Sequence, residues 1–173
     1  MSYRGLNTKY GNQTTSFIAG ITGMSEGDTV FNTDYGMVEW YTGQVWTNSC
    51  SVLMTAAATL AEGQCVVINA SGQAALLVYT SSPSTPYAAI GVVQYGGTIG
   101  QTVSIRTHGI AKCKTSAAGS LTLGQYAAIS SGTIGAISNI ASPGGAKGVI
   151  GRNLETVGAN TLGYVLLTFM ERY

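Results

Sequence analysis

Leu60-Ala61-Glu62-Gly63-Gln64-Cys65-Val66-Val67-Ile68 is answered sixty-one residues later by Leu121-Thr122-Leu123-Gly124-Gln125-Tyr126-Ala127-Ala128-Ile129. A second pair of phrases follows the first. Ala89-Ile90-Gly91-Val92-Val93 returns as Val149-Ile150-Gly151-Arg152-Asn153, with Gly91 and Gly151 sixty residues apart. Each half then closes on an alternating stretch, Val103-Ser104-Ile105 in one and Val165-Leu166-Leu167 in the other. Short runs of Val, Ile, Ala and Tyr punctuated by Gly mark strands and tight turns, and no window carries a sustained 3.6-residue apolar period. The reading is an all-β chain built by duplication: a compact β-barrel or β-sandwich-like body made of two similar β-units. The copies share strands and turn glycines but no reactive residue. Cys65 is matched by Tyr126, and His108 has no counterpart.

Composition narrows the function classes. Hydrophobic residues are 45% of the 173 and charged residues 9%, against roughly a quarter charged in an ordinary soluble domain. The apolar runs fall far short of the ~20 residues that cross a bilayer, so no membrane partner is expected. No basic segment followed by an apolar one opens the chain, and synthesis in a reducing cytosol is the expectation. The formal net charge of +1 gives no concentrated basic face, which argues against nucleic acid. A surface this weakly charged suits a chain covered by copies of itself or by a larger assembly. Cys50, Cys65 and Cys113 are odd in number and widely spaced, so they form neither a disulfide framework nor a C-x-x-C zinc site. Cys65, in an apolar run, reads as a small buried hydrophobe.

Three regions follow along the chain. Residues 1–23 lack either period and read as an extended N-terminal arm, in which Tyr3, Arg4, Lys9, Tyr10 and Phe17 are candidate contacts to a neighbour. Residues 24–50 read as a small three-stranded meander: Thr29-Val30-Phe31, Met37 to Tyr41, and Val45-Trp46, with turns at Asn32–Gly36 and Thr42–Gln44. Its Trp40 and Trp46 form either a mini-core or an exposed platform for a partner. Residues 51–173 hold the duplicated domain, with repeats at about 60–110 and 121–170. Residues 49–59 read as the linker into it. In the first repeat Gln73 to Tyr79 is a strand and Ser81 to Pro86 a loop, because two Pro cannot continue a ladder. In the second, Thr133 to Ile137 is the matching strand and Ala141 to Ala146 the matching loop. Ile110 to Lys114 reads as the last strand of the first repeat, with Lys112 and Lys114 on a solvated face that protects an edge.

The residue inventory is poor in chemistry. His108 is the only His, and it sits beside a Gly as an exposed turn residue does. The seven acids are scattered, and those at 26–34 occupy turn positions. Gly91 to Gly97 has no P-loop Lys and no following helix. No catalytic constellation, cofactor site or metal site is read from the sequence, and an enzyme is not expected.

The wording LAEGQCVV (60–67), AIGVV (89–93), GQTVSIRTHG (100–109), LTLGQYAAI (121–129) and Gly148–Gly151 resembles bacteriophage head decoration, or cement, proteins of the β-rich kind. The likeness covers roughly residues 55–170. The stretch GDTVFNTDYGMVEWYTGQVW, in the module at 27–47, is similar to a short segment of many phage virion proteins, tail fibres and spikes included. The resemblance implies a homotrimer on the exterior of the virion capsid, made in the host bacterial cytoplasm, whose partners are itself and the major capsid protein. It brings no motif of functional residues. The second module keeps a tail-fibre, baseplate or spike component as the alternative, and Trp40 with Trp46 a carbohydrate-binding or adhesive surface.

Overall fold

The computed structural model describes residues 10–77, 89–141 and 148–170. Tyr3, Arg4 and Lys9, the Pro-bearing loop at 81–86 and the matching loop from 142 onward lie outside the described residues.

The chain is all-β, with one five-residue helix among the described residues. In the first sheet β1 (Asn12–Gln13), β2 (Thr29–Asn32), β3 (Met37–Tyr41) and β4 (Trp46–Thr47) lie in that order. The meander therefore has a fourth strand, supplied by the segment read as an extended arm. β1 runs parallel to β2, with Asn12 facing Phe31. A short helix, α1 (Thr15–Ala19), follows β1. Thr14 caps it by accepting from the Phe17 amide, and Ile18 seals it onto the meander core of Val30, Val45, Trp46 and Tyr95. The arm is held because Phe31 N–H donates to Gly11 O and Thr33 N–H to Gln13 O.

The duplication is explicit in the other two sheets. The first unit orders β5 (Ser51–Thr55), β9 (Thr102–Arg106), β8 (Gly91–Val93), β6 (Cys65–Ile68) and β7 (Ala74–Leu76). The second orders β10 (Gly109–Lys114), β14 (Leu162–Met170), β13 (Val149–Asn153), β11 (Tyr126–Ile129) and β12 (Ile137–Ile140). The two orders are the same, strand for strand. Each sheet curls until its edges touch at one parallel bridge, Ala56 to Ala74 and Thr115 to Ile137, without closing a barrel. The repeated phrases build repeated bonds. Leu60 and Gly97 exchange both backbone hydrogen bonds, as do Leu121 and Val157. Gly63 N–H donates to Val93 O, and Gly124 N–H to Asn153 O.

Three sequence readings change. Ser51–Thr55, read as linker, is an edge strand that pairs with β9 along its whole length. Ile110–Lys114, read as the end of the first repeat, belongs to the opening strand of the second sheet, which pairs antiparallel to β14 from Gly109 to Lys114. The partner strand read at Thr133–Ile137 lies at Ile137–Ile140 instead. Gly135 takes a positive φ of 68° and sends its N–H to Leu77 O of the first unit, so 133–136 form a turn.

The two units pack on one another. Cys65, Leu77 and Val92 of the first join Ala111, Cys113, Leu121, Ile137, Val165 and Leu167 of the second in one core. Lys114 N–H donates to Gly63 O and Cys65 N–H to Gly135 O, both at 2.8 Å. Gly63 makes this approach possible. Its φ is +80°, and a Cβ there would stand 2.4 Å from Leu162 Cδ2 and 2.8 Å from Lys114 N. Gly124, at the same turn of the second unit with φ +77°, has nothing within 4 Å. Gly124→Ala is expected to cost about 1–2 kcal/mol, the left-handed backbone penalty alone. Gly63→Ala adds a backbone clash and is expected to cost about 2 kcal/mol more. Urea melts of the two variants check the difference, and equal losses would show that the contact at Gly63 is not tight.

Candidate functional site

The meander docks on the first unit through polar groups. Glu39, on β3, is fully buried. Asn48 Nδ2 donates to its Oε1 at 3.1 Å, Gln94 Nε2 donates to the same oxygen, and the Tyr95 hydroxyl donates to Oε2. Asn48 also donates to Gln94 Oε1 at 3.0 Å, and so does Ser51 Oγ. Asn32 Nδ2 reaches Thr15 Oγ1 at 3.0 Å, which ties the helix start to the same network. Beside it lies Arg106, 1% exposed, with its guanidinium 4.2 Å from the centre of the Tyr35 ring and Nη1 donating to Ile110 O at 2.5 Å. Every partner of Glu39 in this network is itself buried, so the carboxylate is a structural acceptor closed off from solvent.

A second polar junction joins all three parts of the molecule. Lys112 on β10 pairs with Asp34 of the meander at 2.7 Å, and its ammonium lies 5.5 Å from the centre of the Tyr164 ring. Asp34 also accepts from the Thr15 amide at 2.9 Å. Burial pushes the Asp34 carboxyl up, but the bonds from Lys112 and Thr15 leave it below the usual aspartate value. Glu62 of the first unit lies close enough to feel both charges; burial raises it, Lys112 lowers it and Asp34 raises it again. Lys112 is thus an inter-element tie as well as an edge residue.

The candidate contact residues separate. Trp46 is 3% exposed and packs edge-on to Tyr10, 6.0 Å between centres, and tilted against Tyr41 at 5.5 Å. It belongs to the meander core and offers nothing to a partner. Tyr10 lies against it, with its hydroxyl 3.2 Å from Asp28 Oδ2. Trp40 and Phe17 remain at the surface, 39% and 56% exposed. Trp40 faces Thr29 and Thr47 across the sheet. His108 is exposed. Among the described residues no three of His, Cys, Asp and Glu come together to hold a metal, and no helix is long and apolar enough to cross a membrane. Cys65 and Cys113 are buried free thiols, and burial pushes Cys65 up to about 12.

The sequence carries no sign of the Glu39 cluster or of an open face on the second sheet. On that face Ile110, Leu154, Leu162 and Leu166 stand 37–40% exposed, and Arg152 stacks on Tyr126 at 4.1 Å. No protein-family model matches the chain, and no curated protein matches it.

Glu39 generates a test. Burial raises its carboxyl above the usual glutamate value, against the hydrogen bonds from Tyr95, Asn32 and Asn48 and the charge of Arg106. The folded state therefore holds a proton that the unfolded state has released. Stability falls as pH rises from about 4.5 through the raised value, and this slope is absent in Glu39→Gln. Glu39→Ala strands three buried donors and is expected to cost about 3 kcal/mol at any pH. Urea melts across pH 4 to 8 read both effects.

Proposed function

We propose that this protein is a structural component of a bacteriophage virion that decorates the capsid exterior, as a homotrimer, and stabilises it by bridging neighbouring major capsid protein subunits. One observation carries the reading. Twelve large hydrophobic side chains stand 37–69% exposed among the described residues of a chain in which only 9% of residues are charged. So many exposed apolar side chains with so few charges suit a protein that buries part of its surface against neighbours. The resemblance of residues 55–170 to β-rich cement proteins supplies the neighbour, and the duplicated phrases are conserved in shape rather than in reactive groups. The work required is burial across capsomer joints, where a stable interface covers more than ~2,000 Å² and trimeric attachment multiplies affinity through effective concentration. Such a role needs no active site.

A tail-fibre, baseplate or spike component, or an adhesive module, is the second reading. Trp40 favours it, because an indole 39% exposed on a β-face suits a glycan or receptor platform.

Purified protein added to expanded capsids lacking it is expected to pellet with them and to raise the temperature at which they burst. Protein that stays in the supernatant at saturating concentration overturns the capsid reading. Binding to tails, host cells or a glycan array, lost in Trp40→Ala, would establish the second.

A further inference from the structure

The two units are equivalent strand for strand, yet one row of side chains is treated in opposite ways. In the first sheet the outward row runs Ser51, Arg106, Val92 and Cys65 across β5, β9, β8 and β6. It is sealed: Arg106 is 1% exposed, Val92 1% and Cys65 0%. Tyr35 and Met37 of the meander lie on Arg106, and β10 of the second unit lies on β8. The equivalent row of the second sheet runs Ile110, Leu166, Arg152 and Tyr126. Ile110 and Leu166 are 38% and 40% exposed, Arg152 is exposed and Tyr126 half-buried.

The strand that seals the first row also has an unused equivalent. β10 corresponds to β5 by its pairing with the following strand, so Ala111 matches Val52 and Cys113 matches Met54. Ala111 and Cys113 are 2% and 0% exposed, whereas Val52 is 44% exposed and Met54 is half-buried against the core of its own unit. Leu53, on the other face of β5, is also 44% exposed. The glycines repeat the contrast. Gly63 and Gly135, on the two sides of the contact between units, are crowded by the opposite unit, whereas Gly124 and Gly72 at the equivalent turns have nothing within 4 Å. The chain makes one contact between unlike surfaces internally, and it carries an open copy of the row and, in β5, an edge strand whose Val52 is left exposed.

We infer that copies of this chain associate head to tail, the open row Ile110, Leu166, Arg152 and Tyr126 of one copy receiving the edge strand Ser51–Thr55 of the next. The contact repeats the one already made between the units within a chain. Exposed Val52 and Leu53 supply an apolar edge, which is a pairing hazard when left bare. Arg152 and Tyr126 are of the types that anchor interface centres. A contact between unlike surfaces does not stop at two copies; it propagates until the rotation closes a ring. The inference deepens the self-association in the proposed function and rests on that part of it.

Sedimentation velocity tests it on the wild type, Val52→Asp, Leu166→Glu and Arg152→Glu, all at exposed positions and each checked for folding by circular dichroism. The wild type is expected to run as a species larger than a dimer, and each variant as a monomer. An equimolar mixture of Val52→Asp with either face variant is expected to form a dimer and nothing larger, because one partner keeps an intact face and the other an intact strand. A wild-type dimer, or an oligomer that survives all three substitutions, overturns this surface while self-association stands. A monomeric wild type that still pellets with capsids overturns the head-to-tail contact and leaves capsid binding in place. A monomer that stays in the supernatant overturns both.

Discussion

Gly63 lets the backbone of Lys114 come to 2.8 Å from its carbonyl, and the two five-stranded sheets meet there. No residue with a side chain fits between Leu162 and the β10 backbone at that turn. From this contact follows the burial of Cys65, Leu77 and Val92 against Ala111 and Cys113, and with it the largest core cluster. It also fixes where β10 lies, and β10 carries Lys112 toward Asp34. The position of the meander relative to the second unit thus depends on a turn glycine of the first.

The meander is attached by different physics. Its apolar core, built on Ile18, Val30 and Trp46, takes only Tyr95 from the first unit. The rest of the contact is polar and directional: Glu39 to Asn48, Gln94 and Tyr95, and Arg106 under Tyr35. Apolar contacts tolerate sliding, but a buried carboxylate with three donors has one satisfied arrangement, because each unmade bond leaves a desolvated group behind. The polar seam therefore sets the angle of the meander, and with it the direction in which Trp40 is presented.

The fold was legible where the physics is local. The turn glycines and alternating runs marked β2, β3, β6 and β9, since a positive-φ turn and a half-buried strand leave their own signatures. β5 escaped because both Val52 and Leu53 are exposed, which breaks the alternation that a half-buried strand shows. β1 escaped because Asn12 and Gln13 have no strand preference and pair only because β2 is present. β10 reads as a strand but not as part of the second sheet, since nothing in Gly109–Lys114 names a partner about fifty residues on. The candidate site was less legible still. Two of the partners of Glu39 lie 55 and 56 residues away, and an isolated Glu between Val38 and Trp40 reads as the polar face of a strand. Trp40 and Trp46 look alike in sequence, and only the register of β3 against β4 separates them.

Divergence between the two copies shows which features of the duplication were kept. Inside the units the equivalents differ freely: Val93 matches Asn153, whose amide donates to Asn139 Oδ1 at 2.7 Å, and Val103 matches Gly163, where a Cβ would meet Leu121 at 2.7 Å. Strand order and turn bonds survive these changes because backbone pairing does not depend on which side chain fills the interior. On the outer row the changes follow a pattern. Small apolar Cys65 and Val92 lie where a strand covers them, and stacked Tyr126 and Arg152 lie where none does. Where a strand lies over the row, at Cys65 and Val92, the side chains are small enough for close packing, while Arg106 of the same row lies under Tyr35 and Met37 of the meander. A row open to water in the single chain needs groups that tolerate solvent and still present a large contact area, as Tyr and Arg do. The difference between the copies is therefore the difference between a contact made permanently within the chain and a surface left available for one outside it.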